Sequence, residues 1–350
     1  MKLTEQLLAS KGTKKFDVLG LGEVMLRLSP EGRERIVQGN LFEKRVGSSE
    51  LSVISGVSVL GGQAGIITKL PDTEIGSFVI NSMRSCGVSD RYVVRDTSDE
   101  ARLGVYYYEV GSNPRKTSVV YDRKRSSVTT LKVDELPEDM FKSTRIFHTS
   151  GITLALCPEL RATAKELMKR FKENGAVISF DVNFRASLWS EEESRAAITE
   201  ILPLVDIFFV SEESSRRMFG KTGTLEEIMK SYCEEYGVRM VATTSREVIT
   251  PNLHNFGSTV YSYDEDKFYT EKPYNGIEIV DRLGSGDAYV GGALFAMLEG
   301  LSFEGAMKYG NACSAIKNTI IGDLPAFSRR DVDRIISAHN STGNQSEMNR

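Results

Sequence analysis

Short apolar runs alternate with amphipathic segments along most of the chain. The runs are rich in Val, Ile, Leu and Phe, and they occupy residues 16–23, 64–68, 145–149, 176–181, 206–210 and 239–243. Between 158 and 174, apolar residues recur at helical spacing, and Gly175 follows as a C-cap. Leu225–Tyr236 repeats this pattern and is followed by Gly237. Buried strands that alternate with amphipathic helices predict an α/β fold with a mainly parallel sheet and helices on both faces.

Two stretches, at about 27–47 and 102–128, depart from this alternation. Neither has a helical period, and the second contains apolar runs at 103–108 and 117–121 joined by the turn-forming sequence Gly111-Ser-Asn-Pro114. We expect antiparallel strands in these stretches, forming a small sheet beside the core. Such a sheet would suit a lid.

The length allows one large domain with an accessory part, or two domains. The 350 residues are 40% hydrophobic and 26% charged, which is ordinary for a globular protein. We interpret residues 16–338 as a single domain. The ends at 1–15 and 340–350 are polar, and we expect them to be flexible.

Charge and cysteine content narrow the class of function. A net charge of −4 and a pI near 5.7 argue against a nucleic-acid-binding protein, because such a protein needs a basic surface. The four cysteines lie far apart and no pair has metal-ligand spacing, so we expect free thiols and no metal site. No apolar run has the length of a signal peptide or a membrane span, so we expect a cytoplasmic protein that does not bind membranes.

The segment 281–287, Asp-Arg-Leu-Gly-Ser-Gly-Asp, carries the clearest chemistry. We predict a strand before it and a helix after it, at 277–280 and 288–299. A turn made of Gly284, Ser285 and Gly286 lets backbone N–H groups point at an anion, and the helix dipole adds positive potential there. Asp287 could accept the proton of a substrate hydroxyl as that oxygen attacks a phosphate. From local chemistry alone, Asp287 could also be no more than an N-cap in a tight connection.

Two other nucleotide-binding signatures are absent from the sequence. Gly220-Lys-Thr lacks the upstream glycine of a P-loop, since position 215 is Ser215. Gly20-Leu-Gly22 is not a dinucleotide fingerprint, because position 25 is Met25. The sequence therefore argues against a P-loop ATPase and against a dehydrogenase.

The segment 281–287 resembles the C-terminal signature of the ribokinase (PfkB-type) family of carbohydrate kinases, Asp-Thr-x-Gly-Ala-Gly-Asp. The glycine-rich N-terminal signatures of that family are echoed at 46–52 and 69–76. The resemblance implies a ribokinase-like three-layer α/β/α core with a small β-sheet lid, and it implies that Asp287 is the catalytic base, beside Gly284, Ser285 and Gly286. It also implies ATP and Mg²⁺ as cofactors. Since Mg²⁺ arrives bound to ATP and keeps several waters, we expect no protein metal cage.

Within this family, four segments are most similar to 2-keto-3-deoxygluconate kinases, at 104–106, 120–127, 181–189 and 315–323. This similarity implies that the chain phosphorylates a small sugar acid, 2-keto-3-deoxygluconate, to 2-keto-3-deoxy-6-phosphogluconate. A kinase for another sugar acid or for a ketose such as fructose, and a non-catalytic sugar-acid sensor, stay open as alternatives. A homo-oligomer formed through the lid is a further expectation, because an exposed sheet edge there would need covering.

The resemblance also assigns residues to the sugar acid. Arginine suits the bidentate recognition of a carboxylate, and Arg123 and Arg185 are the candidates. Tyr106 and Tyr121 would offer hydroxyls and flat apolar faces to the carbon chain. The other residues predicted to bind the substrate are Gly47, Ser48, Ser52, Asp281 and Asp323.

The residues predicted to bind ATP are Asn183, Ser211, Thr244, Ser245, Arg246, Gly284, Gly286 and Asn318. The chain departs from the family pattern at four positions. Ser52 and Asn318 stand where the family usually has Asn and His. Ser211 and Ser214 replace the Asn and Glu of an Asn-x-x-Glu motif that is linked to metal and phosphate organisation, and either Glu212 or Glu213 could substitute for that Glu.

Overall fold

The computed structural model describes residues 1–112 and 114–341, and its strands form two sheets. The strands are β1 (Phe16–Leu21), β2 (Met25–Pro30), β3 (Phe42–Gly47), β4 (Ala64–Pro71), β5 (Val88–Asp96), β6 (Val105–Glu109), β7 (Ser118–Asp122), β8 (Thr144–Ser150), β9 (Val177–Asp181), β10 (Ile207–Phe209), β11 (Met240–Thr250), β12 (Leu253–Ser262), β13 (Lys267–Thr270) and β14 (Tyr274–Glu278).

The larger sheet has the strand order β13-β12-β11-β10-β9-β8-β1-β4-β5, with β14 also paired to β12. The neighbouring strands β11, β10, β9, β8, β1, β4 and β5 pair in parallel. Strand β12 continues the sheet and pairs antiparallel with β11, β13 and β14. Along β1, Val18 packs into one apolar core and its neighbour Leu19 into the other. Because both faces are covered, the strands appear in the sequence as unbroken apolar runs.

Helices cover both faces of this sheet, which confirms the predicted α/β/α layers. They are α1 (Leu3–Ala9), α2 (Ser49–Val59), α3 (Glu74–Ser85), α4 (Gly151–Ala155), α5 (Pro158–Glu173), α6 (Glu191–Ile201), α7 (Glu212–Arg217), α8 (Leu225–Tyr236), α9 (Ser285–Leu298), α10 (Phe303–Asn318) and α11 (Arg329–Asn340). Residues of α2, α9 and α10 build one core, and residues of α5, α6 and α8 build the other. Within the described residues, no helix is long and apolar enough to cross a bilayer.

The smaller sheet, which we call the lid, has the order β3-β2-β6-β7. Its outer pairs, β2 with β3 and β6 with β7, are antiparallel as predicted. Its central pair, β2 with β6, is parallel, so the expectation of an all-antiparallel lid is wrong. The chain crosses the core between the two hairpins, through α2, β4, α3 and β5, and returns to the lid in the same direction.

The amino-terminal stretch also differs from expectation, since it is not a flexible lead-in over its whole length. Leu3 and Leu7 of α1 are fully buried. Arg145 donates hydrogen bonds to the carbonyl oxygens of Leu7 and Leu298, at 2.7 and 2.8 Å, and so ties α1 to the end of α9. The expected flexible tail lies largely outside the described residues, since α11 ends at Asn340 and residues 342–350 are not described.

Candidate active site

The site forms where the amino-terminal ends of α2 and α9 meet. The two helices pack closely because glycines face each other, and a Cβ at Gly291 would lie 2.5 Å from the carbonyl oxygen of Val53 and 3.2 Å from Cα of Gly56. This contact between backbones brings the first residue of α2, Ser49, beside the first turn of α9, which holds Asp287. Small residues in the middle of the two helices therefore set the distance between functional groups at their ends.

The turn that opens α9 has the shape that the sequence predicts for an anion site. Gly284 has φ of 76°, in the left-handed region that favours glycine, and a Cβ there would lie 2.1 Å from the carbonyl oxygen of Asp323. A Cβ at Gly286 would meet no atom within 4 Å, so the turn opens into free space on that side. The unpaired backbone N–H groups of a helix's first turn attract anions, and here they lie next to the carboxyl group of Asp287.

Two successive hydrogen bonds link Asn183, through Ser49, to the carboxyl group of Asp287. The hydroxyl of Ser49 donates to Oδ1 of Asp287 at 2.7 Å, and Nδ2 of Asn183 donates to that hydroxyl at 2.7 Å. Asn183 follows β9 and has a positive φ of 37°, a conformation that Asn tolerates better than most residues. The start of α2 and the segment after β9 are thereby linked to one carboxyl oxygen on α9.

The surroundings of Asp287 favour its protonated form. Burial raises the pKa of Asp287 to about 8, the negative charges of Asp181 and Glu50 add to that rise, and the Ser49 hydrogen bond and Arg185 oppose it. Burial likewise raises the pKa of Asp181 to about 7. A carboxylate with a raised pKa is a stronger base than a solvated one, which is what removal of a hydroxyl proton requires.

A cavity of about 320 Å³ opens at the carboxyl ends of β9, β10 and β11, and Gly286, the residue before Asp287, lines it. Ligands of open α/β sheets bind at this edge. Of the residues predicted to bind ATP or the sugar acid, those that line the cavity are Asn183, Arg185, Ser211, Thr244 and Gly286. Glu213 also lines it, whereas Glu212 does not and bonds to Arg216. Of the two glutamates that the sequence leaves open, Glu213 is thus the one placed at the cavity.

Three residues predicted to bind the substrate form instead a buried junction between the lid and the core. Arg27 of β2 is 2% exposed, and its guanidinium lies 2.7 Å from Asp281 and 2.7 Å from Asp323. The hydroxyl of Tyr106 donates to Asp323 at 2.8 Å, and the ring of Tyr108 lies 4.1 Å from the guanidinium. Burial alone would lower the pKa of Arg27, but the two carboxylates raise it.

Asp281 and Asp323 are thus paired with Arg27, and their contacts with the sugar acid stay a prediction. Asp281 also accepts hydrogen bonds from the backbone N–H groups of Leu283, at 3.1 Å, and Gly322, at 3.0 Å. These two bonds fix the turn that precedes α9. Tyr106 is 2% exposed and fills the space left by Gly47, where a Cβ would lie 2.1 Å from its hydroxyl.

Arg123, which is predicted to bind a carboxylate of the substrate, is paired within the protein, and its contact with the substrate stays a prediction. Its guanidinium forms a buried ion pair with Glu23, with 2.7 Å between Nε and a carboxylate oxygen. Ser126 donates to the same carboxylate. Tyr121 is 43% exposed and lies beside this pair, with its ring 5.4 Å from the guanidinium. Arg185 is exposed and forms no ion pair with any residue that the structure describes.

Five further predicted positions are used inside the fold or lie off the cavity. Ser48 caps α2 by accepting from the N–H of Leu51 at 3.2 Å, and Ser52 is buried and donates to the carbonyl oxygen of Ser48 at 2.6 Å. Asn318 is 6% exposed and donates to the carbonyl of Ser314 within α10. Ser245 and Arg246 lie further along β11, exposed, and do not line the cavity. Ser52 and Asn318 thus form hydrogen bonds within their own helices, and their ligand contacts stay predictions.

The predicted strand at 277–280 also shifts. β14 ends at Glu278, and the backbone N–H groups of Val280 and Asp281 both donate to the carbonyl oxygen of Asn318. This irregular connection lets the chain turn into the junction with Arg27.

Sequence reasoning included Ser49 only within the range 47–52 that is expected to contact the substrate, and it gave Arg27 no role. The sequence offered a signal for each, because Ser49 stands at a helix start signal, with serines and Glu50 before an apolar run. Arg27 is a charged residue at the centre of the apolar strand Met25–Pro30, which indicates a buried partner of opposite charge.

The comparisons with known proteins agree with this geometry. The model of the pfkB family carbohydrate kinase matches residues 15–323. A 2-dehydro-3-deoxygalactonokinase from Haloferax volcanii is 36% identical over 320 residues, which are 91% of this chain and 96% of that protein.

Solved structures resemble the fold over nearly its whole length. The crystal structure of 2-dehydro-3-deoxygluconokinase from Thermotoga maritima has a TM-score of 0.86 at 30% identity and covers 91% of this chain and 99% of its own. An E. coli chain solved in complex with ATP and Mg²⁺ has a TM-score of 0.80 at 23% identity, covering 93% of this chain and 100% of its own, and it shows likeness of fold alone.

Proposed function

Because this chain belongs to the pfkB family of carbohydrate kinases, we propose that it transfers the γ-phosphate of ATP to the terminal hydroxyl of a 2-dehydro-3-deoxy sugar acid. We take 2-keto-3-deoxygluconate as the substrate and 2-keto-3-deoxy-6-phosphogluconate as the product. The observation that carries the proposal is the carboxyl group of Asp287 in the first turn of α9, directly after Gly286, which lines the cavity. The substrate names of the Haloferax and Thermotoga proteins support the choice of sugar acid.

The chemistry follows from the position of Asp287. Its carboxylate takes the proton from the terminal hydroxyl, whose oxygen then bonds the γ-phosphorus while the bond from that phosphorus to the departing ADP oxygen breaks. The backbone N–H groups of Gly286 and its neighbours at the start of α9 stabilise the negative charge on the transferred group. Holding the hydroxyl and the phosphate in line between Asp287 and this turn supplies most of the acceleration.

The cavity suits a magnesium nucleotide. Its hydroxyl groups, Ser211 and Thr244, and the amides of the α9 turn can bond phosphate oxygens, and the carboxylate of Glu213 lies at its wall. Magnesium bound to ATP would neutralise phosphate charge, and it keeps several water ligands that one or two carboxylates can hold. Glu213 is the residue that we assign to those waters.

Arg185 is the arginine that we assign to the substrate carboxylate. Arg123 already forms an ion pair with Glu23, whereas Arg185 is exposed at the cavity and bonds only the carbonyl oxygen of Phe184, at 3.0 Å. A planar guanidinium can hold a carboxylate with two parallel hydrogen bonds. Loss of Arg185 should therefore raise the KM for an acid substrate much more than the KM for a neutral sugar.

A second candidate substrate is 2-keto-3-deoxygalactonate. The Haloferax protein is named for that acid, and it is 36% identical to this chain over 320 residues. The two acids share the carboxylate, the keto group and the terminal hydroxyl, so the same base and the same arginine serve both.

The test is a coupled assay of ADP release on both 2-keto-3-deoxy acids, on 5-keto-2-deoxygluconate and on fructose. We expect turnover on at least one 2-keto-3-deoxy acid, with a higher kcat/KM on the gluconate than on the galactonate. A higher value on the galactonate would replace the first candidate by the second. Turnover on fructose alone would contradict the assignment to a sugar acid, and binding of an acid without ADP release would indicate a sensor.

A further inference from the structure

Ser49 lies in the first turn of α2, with its hydroxyl against the carboxyl group of Asp287. We propose that Ser49 is a positioning residue for phosphoryl transfer: its hydroxyl fixes Oδ1 of Asp287, so that Oδ2 faces the substrate hydroxyl. This inference rests on the proposed function of Asp287 as the base.

The direction of the hydrogen bond follows from the donors around Ser49. The side-chain amide of Asn183 can only donate through Nδ2, and it lies 2.7 Å from the hydroxyl oxygen of Ser49. The single hydroxyl proton of Ser49 is therefore free to point at Oδ1 of Asp287, 2.7 Å away. Nδ2 of Asn183 itself is 3.5 Å from Oδ1, which is too far for a strong bond. Within residues 1–112 and 114–341, Oδ2 of Asp287 accepts no hydrogen bond.

Within the described residues, the hydroxyl of Ser49 forms hydrogen bonds only with Asp287 and Asn183. Ser48 caps α2, since its Oγ accepts from the N–H of Leu51 at 3.2 Å. Replacing Ser49 by Ala would thus leave the cap of α2 in place and keep the helical backbone. The substitution would remove the hydrogen bond that joins α2 to α9 at the carboxyl group of Asp287.

The link is held at both ends by rigid contacts. The backbone N–H of Asn183 donates to Asp181 at 3.2 Å, which ties Asn183 to the end of β9. On the other side, the close approach of Gly56 and Gly291 fixes α2 against α9. The hydroxyl of Ser49 therefore holds Asn183, which follows β9, at a fixed distance from the carboxyl group of Asp287. A mobile surface hydroxyl would not act in this way.

The charges that face Asp287 make this hydrogen bond important. Asp181 at the end of β9 and Glu50 on α2 disfavour the carboxylate, whereas Arg185 after β9 and Lys317 on α10 favour it. Burial also disfavours the carboxylate form of Asp287, whereas the hydrogen bond from Ser49 favours it. Without that bond the pKa of Asp287 should rise further, and a smaller fraction of the enzyme would hold the deprotonated base at neutral pH.

The experiment compares the pH dependence of kcat/KM for the wild type, Ser49→Ala, Ser49→Thr and Ser55→Ala. The acidic limb reports the base of the free enzyme. In Ser49→Ala we expect this limb to move up by about one pH unit, so that kcat/KM at pH values below it falls about tenfold. Ser49→Thr, which keeps a hydroxyl, should restore the wild-type limb. Ser55→Ala removes a buried hydroxyl from the same helix, away from Asp287, and should leave the limb unchanged.

A second measurement does not depend on turnover. In protein labelled with ¹³C at aspartate carboxyl groups, the signal missing from Asp287→Asn identifies Asp287, and its titration midpoint should be about one unit higher in Ser49→Ala than in the wild type. An unchanged limb and an unchanged midpoint in Ser49→Ala would overturn the inference. If the wild type released no ADP with any acceptor, the proposed function would fail, and the midpoint would still decide whether Ser49 acts on Asp287.

Discussion

Two groups of arginine and aspartate lie close together in this molecule and differ in how their charges are paired. At the junction of the lid and the core, Arg27 lies 2.7 Å from both Asp281 and Asp323. At the candidate active site, Asp181 and Asp287 lie near each other, and the neighbouring Arg185 forms no ion pair within the described part of the chain. The same residue types therefore stand in a closed arrangement at one place and in an open one at the other.

The difference separates residues that hold the fold from residues that can exchange protons. In the junction, each carboxylate pairs with Arg27 and is held in place. At the active site, burial without an ion-pair partner raises the pKa of Asp287 to about 8 and that of Asp181 to about 7. Protons can be exchanged there near neutral pH, which is the condition for general base catalysis.

Replacing the base should have the largest effect. In Asp287→Asn we expect kcat to fall about 10²- to 10⁴-fold, because an amide cannot accept the proton of the substrate hydroxyl. Circular dichroism should show an unchanged fold. Turnover near the wild-type rate would contradict the role of Asp287 as the catalytic base.

The same variant also changes how stability depends on pH. The pKa of Asp287 rises from 3.8 to about 8 on folding, so between these values the native state binds a proton that the unfolded state has lost. The wild type therefore loses stability as the pH rises from about 4 to about 8. Asp287→Asn should show a higher Tm than the wild type above pH 8 and no advantage below pH 4.

Opening the closed junction should have the next largest effect, on stability. Arg27→Met leaves Asp281 and Asp323 buried without a partner, and we expect a loss of about 3–5 kcal/mol in the free energy of unfolding, measured with urea. Arg45→Met is the matched control on the adjacent strand, because its ion pair with Glu43 is exposed to solvent and should contribute about 0–1 kcal/mol.

A triple variant tests the cause of that loss. If unpaired buried charge is responsible, Arg27→Met combined with Asp281→Asn and Asp323→Asn should recover much of the stability. If Arg27→Met lowered the free energy of unfolding no more than Arg45→Met does, the buried ion pairs of the junction would not stabilise the fold.

Local pattern was enough to predict the turn that opens α9, whereas the role of Asp287 as the base came from the family resemblance and stays a prediction. The turn of Gly284 and Gly286 and the carboxyl group of Asp287 follow each other in the chain, and the chemistry of a helix start is local. Six strands of the large sheet, β1, β4, β8, β9, β10 and β11, were predicted for a similar reason, since burial on both faces leaves unbroken apolar runs. The strands β5, β12 and β13 were not predicted.

The junction could not be predicted in this way. Arg27 and Asp323 are 296 residues apart, and only the packing of the lid against the core makes them partners. From the sequence, Asp281 and Asp323 were therefore assigned to substrate binding, and Arg27 was given no role. Helix α1 was missed for a related reason, because seven residues with two buried leucines make a weak helical pattern and depend on tertiary contacts.

A third set of charges at the cavity wall is intermediate between the closed and the open group, and it should give the smallest effect. Arg217 bonds both Glu191 and Glu213, at 2.7 Å to Glu213, but its side chain is 63% exposed. Because this pairing is in contact with water, Glu213 can exchange it for the water ligands of a magnesium nucleotide. In Glu213→Gln we expect the Mg²⁺ concentration for half-maximal activity to rise about tenfold, with little change in kcat at saturating Mg²⁺.

Glu212→Gln is the matched control, since it alters the preceding residue of the same short helix. Glu212 bonds Arg216 at 2.6 Å and does not line the cavity, so its Mg²⁺ dependence should equal that of the wild type. A larger shift in Glu212→Gln than in Glu213→Gln would assign the metal waters to the other glutamate. Equal curves for both variants and the wild type would mean that Ser211, Ser214 and the phosphates organise the metal without either glutamate, and that Glu213 belongs with the fixed ion pairs.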